Sequence, residues 1–403
     1  MKWPRTFVPF DAALDDQTPG QTKIQRNDYA SQGVLPVVDQ GQKLIGGYCD
    51  DESRKYAGPL PVIVFGDHTR IFKFVDFPFA LGADGVRVLT ATPPFNAKFL
   101  FYYLLSAKIS SRGYARHFKF LREVEFPLIA SSEQRRIVEL LEQADALRRQ
   151  RAEADAVAER IRPALFHEMF GDPQKNEKCW SVVPLQVAGA EVRYGLGQPP
   201  KSSPDGLPLL RATNIHHGRI FEESLLRVRA EDVPKTRRAF LSGDDVLVVR
   251  SGAYTGDVAQ VTEKWAGSVA GYDLIVSPGP SLVGEFIESF LLTPAIQKGY
   301  FANIKARAGQ PHLNSEQVER TPTPIVPKDV QDRFACKVRQ LRISQEQRNV
   351  SAKTLETLFQ TMLYRAFTGE LTARWREAHM KELLAEMEQQ ARLLRANAPG
   401  QTH

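Results

Sequence analysis

Cysteine is scarce in this chain of 403 residues. The three cysteines, Cys49, Cys179 and Cys336, lie far apart in the sequence and form no Cys-x-x-Cys pair. This arrangement gives no support for a disulfide framework or for a structural zinc site. We therefore expect the chain to hold no metal ion.

Long apolar runs are also missing. No stretch approaches the about 18 apolar residues of a membrane-spanning helix, and residues 1–10 lack the apolar core of a signal peptide. We therefore expect no membrane contact and a cytoplasmic location.

The sequence contains none of the common motifs that hold nucleotide cofactors. It has no Gly-x-x-x-x-Gly-Lys-[Ser/Thr] phosphate loop and no Gly-x-Gly-x-x-Gly. Thr92-Pro93-Pro94-Phe95 is similar to the Pro-Pro-aromatic loop of amine methyltransferases, but threonine stands where an amide or carboxylate would hold the target amine. We expect no catalytic residue and no cofactor in this chain.

Two long segments with helical periodicity are present, at residues 131–172 and 329–371. Their apolar residues recur at alternating steps of three and four, which is typical of a coiled coil. The predicted first seam is Ile137, Leu140, Ala144, Leu147, Arg151, Ala154, Ala158, Ile161 and Leu165. The predicted second seam is Phe334, Val338, Leu341, Gln345, Arg348, Ala352, Leu355, Phe359, Met362 and Ala366. Each helix would be roughly 50 Å long, so we expect the two to pack together. Two independent amphipathic helices are the alternative.

A strand-rich region precedes each long segment. Short apolar runs such as Val62–Phe65 and Val246–Val249 lead into polar loops, and one helix is predicted in each region, near 97–110 and near 283–299. We predict an α+β fold in which two similar strand-rich domains, 1–128 and 173–326, are separated by helical segments 129–172 and 327–371. Residues 372–403 form a charged helical tail. The duplication predicts a pseudo-two-fold, bivalent molecule.

The polar loops of the two domains are the candidate binding surfaces. The net charge of +6 and the isoelectric point near 9.1 are compatible with a polyanionic partner. Arginine can make two parallel hydrogen bonds to guanine, and asparagine and glutamine can do the same with adenine. Lysine can bind phosphates. The alternative is that these loops are solvated connections. The candidate DNA-binding residues are His68, Thr69, Arg70, Lys73, Arg116, His117, Lys119, Arg211, Asn214, Arg250, Ser251, Tyr254, Thr255, Arg307, Gln310, His312 and Asn314.

Several motifs together resemble those of the specificity subunit of type I restriction-modification systems, over nearly the whole chain. They are Val64–Arg70, Phe77–Gly85, Glu133–Ile137, Ala164–Asp172, Gly206–Arg211 and Ala366–Leu371. The chain departs from the repeat at two points. Val330-Gln331 stands where the first helix has Glu133-Gln134, and the tail after Leu371 is longer than the repeat requires.

The resemblance implies two target recognition domains, each reading one half of a split double-stranded DNA sequence. It implies that the two helices form an antiparallel coiled-coil spacer, which also docks two modification subunits. By the same resemblance, S-adenosylmethionine and adenine methylation belong to those subunits. ATP hydrolysis, Mg²⁺ and cleavage belong to separate restriction subunits.

Two other functions are compatible with these patterns. One is a coiled-coil adaptor whose domains bind protein, which predicts no salt-dependent affinity for DNA. The other is a fused enzyme with a nuclease or methyltransferase site, supported only by Thr92-Pro93-Pro94-Phe95.

Overall fold

The chain divides into two compact units in a computed structural model. The structure describes residues 6–82, 85–107, 109, 116–235, 238–306 and 312–396. Unit 1 comprises Met1–Arg151 and Ser351–His403, and unit 2 comprises Ala152–Val350. The chain therefore passes between the units twice, and both passages lie inside a long helix.

The first part of unit 1 is built of short strands with three helices. Its elements are β1 (Phe7–Val8), α1 (Phe10–Ala13), β2 (Leu14–Asp16), β3 (Lys23–Ile24), β4 (Leu35–Val38), β5 (Gly47–Cys49), β6 (Val62–Gly66), β7 (Phe72–Val75), β8 (Ala80–Gly82), β9 (Val86–Ala91), α2 (Ala97–Ser106), α3 (Phe118–Leu121) and β10 (Phe126–Pro127). The long helix α4 (Ser131–Ala158) follows and continues into unit 2.

Unit 2 has the same general composition. Its elements are α5 (Ile161–Phe170), β11 (Val182–Pro184), β12 (Glu191–Tyr194), β13 (Ser202–Leu210), β14 (Ile215–His216), β15 (Arg219–Ile220), β16 (Leu226–Val228), β17 (Val246–Val248), β18 (Val258–Gln260), β19 (Val269–Ala270), β20 (Leu274–Ser277), α6 (Gly284–Leu291), a π-helix at Ala295–Phe301, α7 (Ala302–Ala306), α8 (Ser315–Glu319) and β21 (Pro322–Pro324). The long helix α9 (Lys328–Phe367) leads back to unit 1, where α10 (Ala373–Ala378) and α11 (Met380–Ala396) follow.

The two units repeat one sheet topology. A four-stranded antiparallel sheet has the order β2-β9-β6-β7 in unit 1 and β12-β20-β17-β18 in unit 2. A second sheet contains a parallel pair in each unit, β4 with β8 and β13 with β19. A third pair brings the first strand of each unit against the last, β1 with β10 and β11 with β21. The mixed α+β content predicted from the sequence is confirmed.

One helix packs against the four-stranded sheet of each unit. In unit 1 this is α2, whose start is capped by the Asn96 side chain accepting from the backbone N–H groups of Lys98 (2.9 Å) and Phe99 (3.1 Å). In unit 2 it is α6, in which all eight residues are buried. The predicted helix near 283–299 is therefore interrupted, because α6 ends at Leu291 and a π-helix begins only at Ala295.

Segments of the two long helices contact each other inside each unit. In unit 1, Arg148 of α4 pairs with Glu356 of α9 at 2.6 Å and lies 4.1 Å from the centre of the Phe359 ring. In unit 2, Asp155 of α4 pairs with Arg348 of α9 at 3.6 Å.

The predicted second seam is confirmed, since all its residues are buried or half-buried. The predicted first seam is wrong by one position in part. Leu141 is fully buried where Leu140 was predicted, Leu147 and Ile161 are 52% and 45% exposed, and Ala154 is exposed as well. The first helix also breaks between Ala158 and Ile161, because Pro163 has no N–H to donate to the carbonyl four residues earlier.

Two buried glutamines hold the long helices to their units in the same way. Gln134 donates to the carbonyl of Ile129 (3.0 Å) and accepts from the N–H of Asn96 (2.8 Å). Gln331 donates to the carbonyls of Val326 (2.8 Å) and Ser281 (3.0 Å) and accepts from the N–H of Val283 (3.2 Å). Of the Glu133-Gln134 pair at the start of the first long helix, the second long helix therefore keeps the glutamine, as Gln331.

The tail packs on the start of α4 within unit 1. The Glu133 carboxylate is 3% exposed and accepts from the Thr372 hydroxyl (2.6 Å) and from Nε of Arg376 (2.8 Å). Glu386 of α11 accepts from the backbone N–H of Ser132 at 2.9 Å, and so caps α4 from outside that helix.

The two departures from the repeat thus have a common explanation. Glu133 is needed where the tail docks, and Val330 occupies the matching position on α9. Among the helices of the described part, none is both long and apolar enough to cross a membrane.

Candidate nucleic-acid interfaces

In unit 1 the candidate loop joins β6 to β7 in a tight turn. The N–H of Gly66 donates to the carbonyl of Ile71 (2.9 Å), and the N–H of Arg70 donates to the carbonyl of Gly66 (2.7 Å). Arg70 has a φ of 60°, which is the left-handed region. Thr69 and Arg70 are exposed at the turn. The Arg70 guanidinium makes one long hydrogen bond, at 3.4 Å to the carbonyl of Ile109.

Two of the predicted contact residues of unit 1 are buried. Nζ of Lys73 donates to the carbonyl of Asp39 at 2.6 Å, and the side chain is only 4% exposed. Burial lowers the pKa of Lys73, and the carboxylate of Asp39 opposes that shift. His117 is 1% exposed, with Nδ1 at 3.0 Å from the carbonyl of Asp67. Both side chains hold the loop from inside, because they are enclosed and their polar atoms contact backbone carbonyls.

Three other predicted residues of unit 1 lie nearer the surface. Arg116 and Lys119 are exposed, and His68 is half-buried. The backbone N–H of His68 donates a hydrogen bond to Oε1 of Gln40 at 3.3 Å. Together with Thr69 and Arg70, these residues form the accessible polar surface of the unit 1 loop region.

In unit 2 three strand ends meet at one edge of the four-stranded sheet. Tyr194 ends β12, Leu274 begins β20 and Val248 ends β17, and the three are paired side by side. Tyr272 and Arg250, each two residues beyond a strand end, therefore emerge at the same edge as Tyr194.

Arg250 lies between the two tyrosines. Its Cζ atom is 4.8 Å from the centre of the Tyr194 ring and 4.4 Å from the centre of the Tyr272 ring. One terminal nitrogen is 3.2 Å from Nε2 of His312, and the N–H of Leu313 donates to the Arg250 carbonyl at 2.9 Å. Burial and the neighbouring guanidinium of Arg250 lower the pKa of His312, which favours the neutral ring that can accept from Arg250.

A buried carboxylate fixes the backbone of Arg250. The Asp273 side chain is 2% exposed and accepts from the N–H of Arg250 at 3.1 Å. Burial raises the pKa of Asp273 from 3.8 to about 6, although this hydrogen bond opposes the shift.

Asp273 predicts a pH-dependent stability. Its pKa is raised in the folded state, so its contribution to the free energy of unfolding is greatest below pH 3.8 and is lost as the pH rises through about 6. Between pH 5 and pH 7 the wild type should lose about 1 kcal/mol relative to Asp273→Asn, which cannot ionise. Denaturant unfolding of both proteins at the two pH values measures this difference. An unchanged difference would contradict it.

Several predicted residues of unit 2 stabilise their own loops. Asn214 is fully buried and donates to the carbonyls of Phe221 (3.2 Å) and Glu223 (3.0 Å). Thr255 is 6% exposed, and its hydroxyl donates to the carbonyl of Gly252 at 2.7 Å. These two side chains are unsuited to base contact because burial removes them from a partner's reach.

Two further polar side chains of unit 2 are bonded within their loops. Asn314 caps α8 by accepting from the N–H of Gln317 at 2.8 Å. Arg211 is half-buried and donates to the carbonyl of Ser224 at 2.9 Å. Arg307 and Gln310 lie outside the described residues.

Beyond Arg250, the predicted contact residues of the β17–β18 loop that stay accessible are Ser251 and Tyr254. Ser251 is half-buried and bridges to His312, whereas Tyr254 is 46% exposed. The Tyr254 ring meets the ring of His216 at 4.0 Å between centres. His216 was not predicted, and it adds a second aromatic group beside this loop.

The two units present different chemistry at matching positions. Arg250 follows β17 and its carbonyl accepts from Leu313, while Asp67 follows β6 and its carbonyl accepts from the N–H of His117 at 3.0 Å. The Asp67 carboxylate is buried and accepts from the N–H of Phe118 at 2.7 Å. The positional counterpart of Arg250 is thus Asp67 and not Arg70.

The flanking tyrosines were missed from the sequence. Tyr194 and Tyr272 are 78 positions apart, and only the pairing of β12 with β20 and of β20 with β17 brings them to Arg250. An aromatic residue at each of two strand ends is a weak signal without the strand order. Among the described residues, no three His, Cys, Asp or Glu side chains are grouped so that they could hold a metal ion.

Comparison with known proteins gives relatives of one kind. The chain is similar to the specificity subunit of the type I restriction enzyme EcoKI from Escherichia coli strain K12, with 22% identity over 308 residues, covering 70% of this chain and 66% of that subunit. It is 28% identical over 189 residues to the EcoBI specificity subunit from Escherichia coli, covering 45% of this chain and 39% of that subunit. Both of these similar proteins are specificity subunits of type I restriction enzymes. The predicted resemblance is confirmed.

The relationship extends to the fold. The crystal structure of the S subunit of a type I restriction-modification system from M. genitalium matches with a TM-score of 0.56 and 15% identity, over 90% of this chain and 96% of that one. At this identity the likeness concerns the fold alone. The matches to EcoKI and EcoBI span about two thirds and two fifths of those specificity subunits. No protein-family model matches the chain.

Proposed function

We propose that this chain is the DNA-specificity subunit of a type I restriction-modification complex, and that each unit reads one half of a split sequence in double-stranded DNA. The observation that carries the proposal is the sheet topology that the two units share, with unlike polar groups in the loop beside it. Arg70 is exposed in the loop of unit 1, whereas Arg250 is flanked by two tyrosines in unit 2. A duplicated reader with unlike contact groups suits two unlike half-sequences. Its relatives are named as specificity subunits, which supports this role.

The two helical segments 129–172 and 327–371 are proposed as the coiled-coil spacer and as the docking region for two modification subunits. Contacts between the two helices inside each unit support the first role. Large apolar side chains left exposed on these helices support the second, because such side chains favour burial against a partner. They are Leu147, Leu358 and Tyr364 in unit 1 and Val157, Ile161, Ile343 and Val350 in unit 2.

Methylation and cleavage are proposed to take place in the partner subunits. The chain is proposed to be non-catalytic and cytoplasmic, with S-adenosylmethionine bound by the modification subunits and ATP and Mg²⁺ by the restriction subunits. Sequence readers supply positioning through phosphate contacts and discrimination through base contacts, and neither role needs a cofactor.

Two arginine variants test whether each unit reads its own half-site. With the modification subunits assembled, Arg70→Ala should relax only one half of the methylated sequence and Arg250→Ala only the other. A forked arginine–guanine contact gives about 1–3 kcal/mol of discrimination, while a phosphate contact weakens all sequences alike. The measurement is the methylation pattern over a pool of randomised sites.

The control is Arg229→Ala, which should leave the methylated sequence unchanged. Arg229 is exposed, and its described ion pair is a local one with Glu231 at 3.7 Å. Wild-type affinity for DNA should fall about tenfold or more between low and physiological salt, since phosphate contacts release counterions. A salt-independent affinity would favour the protein-binding adaptor. Relaxation of both halves by one substitution would contradict the two-reader proposal.

A further inference from the structure

The Arg250 side chain is held in one place before any partner binds. It lies between the rings of Tyr194 and Tyr272, and one terminal nitrogen is bonded to His312. Asp273 and Leu313 fix its backbone on both sides, through the N–H and the carbonyl. A free arginine would lose about 2 kcal/mol of rotamer entropy on binding, and this arrangement removes much of that cost in advance.

Most of the hydrogen-bonding capacity of Arg250 is unused. A guanidinium carries five N–H donors, and the contact with His312 occupies one of its terminal nitrogens. Nε is buried and has no hydrogen-bond partner among the described residues. The two tyrosine rings lie 4.8 and 4.4 Å from Cζ, so the group packs against aromatic surface while its terminal nitrogens keep donors for a planar acceptor.

The tyrosines are open to a large partner. Tyr194, Tyr272 and Arg250 together are called the tyrosine clamp below. The two tyrosines are 37% and 47% exposed, so the clamp lies at the surface and not in the core. The hydroxyl of Tyr194 accepts from the backbone N–H of Ser315 at 3.1 Å, which anchors one side of the clamp. Nothing in the described contacts fixes the Tyr272 hydroxyl, so Tyr272 acts through its ring.

We infer that Tyr194 and Tyr272 are positioning residues that present Arg250 to the edge of a guanine, and that this makes Arg250 the principal specificity determinant of unit 2. The inference rests on the proposed function and names the chemistry of one of its contacts. Guanine fits because its O6 and N7 atoms are two acceptors in one plane, which match the fork of a guanidinium.

The Arg70 side chain of unit 1 has fewer contacts than Arg250. Arg70 is exposed and makes one long hydrogen bond at 3.4 Å, and no ring is described on either side of its guanidinium. It is therefore less fixed than Arg250. We expect Arg70→Ala to relax its half-site less than Arg250→Ala relaxes the other.

The first experiment measures base preference in the assembled modification complex. Tyr272→Ala should reduce the preference for guanine at a single position of one half-site by roughly 3- to 30-fold, which matches the strength of a cation–π contact. Arg250→Ala should relax that same position. Arg250→Lys should relax it as well, because lysine has no fork. Tyr272→Phe keeps the ring and should restore the preference that Tyr272→Ala loses.

The second experiment needs no DNA. Nuclear magnetic resonance of arginine side chains labelled with nitrogen-15 in the full chain reports the mobility of the Arg250 Nε–H bond. Tyr272→Ala should make this bond more mobile, and Tyr272→Phe should leave it ordered. Equal order in all three proteins would overturn the clamp.

The outcomes separate the clamp from the function on which it rests. Suppose that the complex assembled with the wild-type chain methylates no specific half-sequence, while Tyr272→Ala still makes the Arg250 Nε–H bond more mobile. The proposed function then fails, but the positioning of Arg250 by the tyrosines is supported. If Arg250→Ala weakens all sequences alike, Arg250 contacts phosphate and the inference of guanine reading is overturned. Relaxation of several positions by Tyr272→Ala would instead show that it distorts the unit, and would also overturn the positioning role.

Discussion

Inserting seven residues into each long helix where the units meet in sequence should lengthen the gap between the two half-sequences and leave both half-sequences unchanged. The sites are after Arg151 and after Val350, where the chain passes between units. Seven residues keep the heptad pattern and add about 10.5 Å of helix. At 3.4 Å per base pair this corresponds to about three base pairs. Methylation of the original sequence should be lost, and a sequence with the longer gap should replace it.

The control for this experiment is an insertion in α9 alone. It moves Arg348 out of register with Asp155, so the pairing of the two helices in unit 2 is disturbed and the protein should be less stable. Sequencing methylated sites from a randomised pool with variable gaps measures both proteins. A change in the half-sequences after the double insertion would mean that the helices themselves read bases. An unchanged gap would rule out the spacer role.

The duplication was predictable from the sequence because the apolar periodicity of each long helix extends over many residues and occurs twice in the chain. A helix of 40 residues such as α9 repeats its apolar positions many times, so the second seam was identified correctly from Phe334 to Ala366. The first seam was less certain, since Leu140 and Leu141 are both apolar and the periodicity fits either. In the structure Leu141 belongs to the buried apolar core of unit 1, whereas Leu140 is only half-buried.

The candidate interfaces were predictable only in part. Arg250 follows a buried strand, and that local pattern is visible in the sequence. Lys73 has the same kind of local pattern, but its ammonium is enclosed by the carbonyl groups of Asp39 and Leu44, some 30 residues earlier. Whether a polar side chain faces a partner or its own backbone depends on long-range packing, which a single sequence does not contain. The tyrosine clamp was missed for the same reason.

The largest effects on stability are expected at the two buried glutamines. Gln331→Ala would leave the N–H of Val283 and the carbonyls of Ser281 and Val326 without their partner. An unsatisfied buried polar group costs about 1–3 kcal/mol, so we expect a loss of roughly 3 kcal/mol or more in the free energy of unfolding. Gln134→Ala should act similarly through Asn96.

The two variants form a matched pair, because each glutamine belongs to a different unit. Amide hydrogen exchange should accelerate in unit 2 for Gln331→Ala and in unit 1 for Gln134→Ala, since local opening follows the lost contacts. Gln347→Ala on the exposed face of α9 is the control and should change stability by about 0.5 kcal/mol or less. If Gln331→Ala were as mild as this control, the glutamine would be a passive core residue. If it accelerated exchange in both units equally, the two units would open together, and the effect of the lost hydrogen bonds would not be local.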